Sequence, residues 1–211
     1  LPDSALQSNY GGSMTTLAHP LRVALMPRTA RLSARATNAA LVIVGVGFMS
    51  AMAQVAIQPA GWPVPITGQT LGMLLIGTSY GAGLGVSTLG AYLLIGALGA
   101  PIFSQGNSGF TALFGPTGGY LFGMLLASFA VGYLAERKWD SKVPTALLQM
   151  LIGEALIFIP GVLVLAASYH MGLGDAFYNG CVKFLGVEGI KIALAGTLLP
   201  GIWAVLAKLR A

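Results

Sequence analysis

Apolar residues in this chain run in long, nearly unbroken blocks rather than alternating with polar ones, and the blocks have the length of membrane crossings. The first block predicts a helix from about Asn38 to Ile57, stopped by the Pro-rich run QPAGWPVPITG. A short helix over about Gly68 to Ser79, a Gly-bearing turn and a third helix over about Gly83 to Leu98 follow. Pro101 and repeated glycines keep GAPIFSQGNSGFTALFG from forming one regular helix. A fourth helix is expected from Pro116, where a missing N–H is harmless, to Ala135. The fifth spans about Pro144 to Ser168 with a kink at Pro160 and Gly161, and the sixth about Val187 to Leu206. The pattern predicts an all-α, polytopic membrane protein with six transmembrane helices.

Charge supports that count and orients it. Lys and Arg collect before the first helix (Arg22, Arg28, Arg31, Arg35), between the fourth and fifth (Arg137, Lys138, Lys142) and after the sixth (Lys208, Arg210). The positive-inside rule puts all three groups, and hence both termini, in the cytoplasm, and the uncharged loops 58–67 and 100–115 outside. Lys183 dissents, since it falls in an outer loop; it belongs either to a re-entrant segment or near a ligand. Residues 1–37 read as a tag-like stretch (1–13) followed by a basic cytoplasmic arm, and 38–211 as the transmembrane domain.

Composition removes the soluble alternatives. Between Arg35 and Glu136 there is no Lys, Arg, Asp or Glu, and the whole chain is 8% charged, against about 25% in a typical globular domain. A net charge of +5 does not indicate nucleic acid, because the basic residues flank helices instead of forming a continuous stripe. Cys181 is the single cysteine, so there is no internal disulfide, and neither it nor His19 and His170 has the spacing of a metal site. Many of the 30 glycines fall inside the spans, where small residues let helices approach closely. On the first helix the pairs Ala36/Ala40 and Gly47/Ala51 either pack internally or face a partner subunit.

Three ionisable residues remain in apolar surroundings: Glu154, Glu188 and Lys191. Charge inside a membrane is costly and marks function by default. Glu188 and Lys191 are three apart on a helix, hence on one face, with Cβ atoms about 5–6 Å apart. They form either a binding pair or a structural ion pair facing the bundle. An enzyme would need a nucleophile with a base or a metal cluster, and the spans contain no His. A channel would need a repeated polar lining, which one such pair does not supply.

The stretches PVPITGQTLGMLL, YLLIGALGAPIF, FGPTGGYLFGMLLASFAVGYLAER and VEGIKIALAGTLLP resemble the BioY family, the biotin-specific substrate-binding (S) components of energy-coupling-factor (ECF) transporters. The resemblance implies a six-helix subunit of a prokaryotic cell membrane that captures biotin from outside, without a cofactor or enzymatic activity of its own. ATP hydrolysis would fall to partners, a transmembrane coupling subunit and two ATPase subunits, and the chain contains no G-x-x-x-x-G-K-[ST] phosphate loop. The acidic residue and lysine of the family's last helix correspond to Glu188 and Lys191, with glutamate in place of the more usual aspartate. Biotin offers ureido N–H donors to the carboxylate and a carbonyl to the ammonium. Asn107 and Ser108 are candidate polar contacts or turn formers, and Gln69 a contact or a helix cap. Tyr120, Tyr92, Phe103 and Trp62 either wall the thioether ring or anchor at the interface. Another vitamin, thiamine or riboflavin, is the alternative substrate.

Overall fold

The computed structural model describes Leu21 and residues 34–210; the tag-like stretch, most of the basic arm and His19 lie outside these residues. The described chain is helical: α1 (Ala34–Gln54), α2 (Gln69–Tyr80), α3 (Ala82–Ala97), α4 (Gly109–Leu113), α5 (Gly118–Ala135), α6 (Val143–Tyr169), α7 (Leu173–Gly180) and α8 (Leu185–Arg210). Two-residue strands, β1 (Ala56–Ile57) and β2 (Ile66–Thr67), pair antiparallel and close the loop between α1 and α2. α1, α5, α6 and the segment 173–209 are long and apolar enough to cross a membrane, and α3 is a shorter apolar helix.

Several boundaries differ from the sequence expectation for identifiable reasons. α1 stops at Gln54, not Ile57, because Ala56 and Ile57 form β1, paired with β2, and the Gly68 N–H bonds to Val55 O at 2.8 Å. α5 begins at Gly118 instead of Pro116, after a turn closed by Gly118 N to Gly115 O at 2.8 Å. The loop from Leu173 to Gly180 is a helix with Asp175 in its first turn, and it lays Ala176 and Gly180 against the bundle. Pro144 sits in the first turn of α6, and Pro160 lies inside that helix.

The bundle is organised around α5, which packs on α6, α2 and α3. Its glycines explain how closely. A Cβ at Gly123 would lie 2.7–2.8 Å from the backbone of Leu156 and Ile157, and one at Gly119 would collide with Pro160 O, so the α5 and α6 backbones touch along a glycine–xxx–glycine seam. At the other end of α5, Glu136 Oε1 accepts the Ala82 N–H at 3.0 Å, placing a carboxylate on the amino end of α3. Buried Gln149 of α6 donates from Nε2 to Thr78 Oγ1 of α2 (3.1 Å) and to Val131 O of α5 (2.8 Å), joining three helices with one amide. α2 and α3 meet at Gly81, whose φ of 80° a side chain would resist.

Candidate functional site

A cavity of about 380 Å³ lies among the amino end of α2, the loops 58–67 and 103–117, and the facing parts of α5, α6 and α8. The size suits a small organic ligand. Gln69, Thr70, Glu188, Met124, Phe158 and Phe184 line it, together with Phe103, Ser104, Asn107, Ser108 and Tyr120 from the loop 103–117 and the start of α5.

Its electrostatic centre is a closed network. Glu188 and Lys191 are both buried, and Lys191 Nζ lies 2.7 Å from Glu188 Oε1. The same ammonium donates to Thr67 O at 2.6 Å and to Thr70 Oγ1 at 2.9 Å, while Thr70 Oγ1–H donates to Glu188 Oε2 at 2.8 Å. The network is local in origin: Gly68 and the β2 strand bring Thr67 and Thr70 together at the start of α2, and the three-residue spacing on α8 supplies the pair. The lysine compensates the charge from behind; the carboxylate faces the cavity. Lys191 itself is not among the lining residues.

The other anticipated residues divide similarly. Gln69 lines the cavity and donates from Nε2 to Tyr92 Oη at 3.0 Å; Tyr92 in turn donates to Ile102 O at 3.0 Å. Tyr92 is therefore a support behind the wall, in edge contact with Phe103 (5.4 Å between centroids). Phe103 and Tyr120 are walls, and Tyr120 is held by its hydroxyl bond to Gly180 O at 2.7 Å and by Phe158, edge-on at 5.7 Å. Asn107 makes the turn bond, Nδ2 donating to Ser104 O at 2.9 Å, and the residue lines the cavity. Ser108 lines it too, at the amino end of α4, with no capping bond from its side chain. Trp62 is not a lining residue; it sits edge-on to Phe184 at 5.3 Å.

Four contributors escaped the sequence reading. Thr70 hides among the polar residues that open α2. Ser104 lines the cavity with a buried Oγ that has no hydrogen-bond partner. Phe158 and Phe184 read as ordinary apolar positions until folded. A fifth residue acts at the rim: Gln54, the last of α1, donates from Nε2 to Phe103 O (3.1 Å) and accepts the Gly106 N–H (3.1 Å), clasping the loop 103–117. Glu154, buried on α6 with neither carboxyl oxygen hydrogen-bonded, lies within electrostatic reach of Glu188 and Lys191. Among the described residues no group of three His, Cys, Asp or Glu is placed to hold a metal.

With that arrangement in view, a profile of the BioY family matches residues 26–208. The chain belongs to the BioY family. It is 35% identical over 136 residues to the biotin transporter BioY of Thermotoga maritima, covering 64% of this chain and 79% of that protein. To the probable biotin transporter BioY of Pyrococcus horikoshii it is 32% identical, over 76% of this chain and 93% of that one. The fold matches the crystal structure of the S-component for biotin from an ECF-type ABC transporter, with a TM-score of 0.74 over 82% of this chain and 95% of the other at 20% identity. In this BioY-family chain stretches quoted from the sequence fall on the cavity: PVPITGQT carries Gln69 and Thr70, GPTGGY carries Tyr120, and VEGIK carries Glu188.

Proposed function

We propose that this protein captures biotin at the outer face of a cell membrane as the S component of an ECF-type transporter and has no enzymatic activity of its own. The observation that carries the reading is a ligand-sized cavity with one buried carboxylate at its polar end, ion-paired with a lysine whose own donors are already engaged. Such a carboxylate accepts a ureido N–H; Ser104 Oγ and Asn107 supply donors toward the loop side, and Phe103, Tyr120, Phe158 and Phe184 pack the thioether ring and aliphatic arm. Lys191 in this reading orients Glu188 more than it touches the ligand.

Six crossings with both termini in the cytoplasm agree with the charge pattern. α2, with 12 residues, and α3, with 16, reach only about 18 Å and 24 Å at roughly 1.5 Å per residue, short of a hydrocarbon core of about 30 Å. Their ends are covered by protein at the β1–β2 loop and by Glu136, the circumstance in which short spans and irregular backbone are tolerated. Energy would come from a coupling subunit and two ATPase subunits, with the small residues of α1 as the docking stripe. Titration calorimetry of the purified protein with biotin, thiamine and riboflavin tests the substrate: biotin alone should bind, and tight binding of either other vitamin with none of biotin would overturn the assignment.

A further inference from the structure

Lys183 stands against the charge logic of the rest of the chain, and the structure gives it a defined place. It precedes α8, next to the lining residue Phe184, on the side of the bundle that the positive-inside pattern leaves without Lys or Arg. Its Nζ donates to Asn179 Oδ1 at 2.6 Å and lies over two aromatic rings, Trp62 at 5.3 Å and Tyr178 at 5.6 Å from their centroids. Asn179 is fixed in turn through Nδ2 to Asp175 O at 2.9 Å. Trp62 adjoins Pro63 of the cavity lining, and its carbonyl accepts from Gln58 Nε2, another lining residue, at 2.6 Å. Among the described residues the only ion pair is Glu188–Lys191, so this ammonium is held in position by neutral groups and has no carboxylate partner.

We propose that Lys183 receives the ligand's terminal carboxylate at the mouth of the cavity and so makes the protein selective for the free acid. The inference rests on the biotin reading above. With the ureido ring at Glu188, the aliphatic arm runs outward and brings its carboxylate into a partly dehydrated rim. That charge needs a cation there, and Lys183, although not itself a lining residue, adjoins the lining residue Phe184 in sequence and is in no ion pair among the described residues. A neutral amide or ester at the end of the same arm gains nothing from it.

Calorimetry with biotin, its primary amide and its methyl ester, on the wild type, Lys183→Met, Lys183→Gln and Lys183→Arg, tests the assignment. The wild type and Lys183→Arg should prefer the acid by about ten- to a hundredfold, the range of a hydrogen bond to a charged group. Lys183→Met and Lys183→Gln should lose that preference by weakening the acid alone, and retained ester binding shows that both are folded. Equal wild-type affinities for acid and ester, or an unchanged preference in both neutral variants, overturn the proposal while leaving the biotin site standing. Failure of the wild type to bind any of the three would instead defeat the biotin reading and this inference with it.

Discussion

Lys191 commits three donor contacts, to Thr67 O, Thr70 Oγ1 and Glu188, so the charge on Glu188 is balanced without consuming the whole carboxylate. Removing either partner leaves the other buried without its ion-pair partner. Glu188→Gln and Lys191→Met should each weaken biotin binding by roughly 3–5 kcal/mol, the cost of breaking a buried pair, as read by calorimetry on folded protein. Asn107→Ala removes one neutral contact, and the expected loss is about 0.5–1.5 kcal/mol. Comparable losses at all three positions would mean that the charged pair has no special role. The pair was legible in the sequence because charge is scarce there; Ser104, Phe158 and Phe184 were not, because an isolated serine or phenylalanine carries no signal until the loop and helices converge.

At the scale of elements, the loop between α5 and α6 is tied to the end of the bundle by Asp140, whose Oδ2 accepts the Trp203 indole N–H of α8 at 2.7 Å while Oδ1 is buried without a partner. Burial pushes this carboxyl above its ordinary value near 3.8, against the opposing effect of the indole bond. A raised folded-state value means that the native protein holds the proton more tightly than the unfolded chain, so this contribution to stability is lost as pH rises through the raised value. Thermal unfolding of the wild type should therefore show a component that declines as pH rises from near 3.8 to the raised value, and Asp140→Asn should remove it. The helices themselves were largely readable from apolar run length. α7 was missed because its eight residues look like a polar loop, although Leu173, Ala176, Phe177 and Gly180 recur at helical spacing. The β1–β2 pair had no signal beyond prolines, and only the return of the chain to α2 creates it.

For the whole molecule, α1 is the least embedded long helix, and Ala40, Gly47 and Ala51 are exposed on it, with nothing within 4 Å of a Cβ built at Gly47. Small exposed residues on a membrane helix suit close docking of another helix. Replacing Ala40, Gly47 or Ala51 singly by Trp should leave biotin affinity intact and abolish co-purification with the coupling module for at least one of them; normal co-purification of all three would move the interface elsewhere. The same helix ends in Gln54, whose amide grips Phe103 O and Gly106 N at the lip of the cavity. With the interface proposed on α1, a force applied there by the partner would reach the rim through these two hydrogen bonds, as a pull-cord opens a shutter. Gln54→Ala cuts the cord: biotin should dissociate faster in stopped-flow measurements with little change in its association rate, and the loop would no longer follow the helix when the transporter turns over.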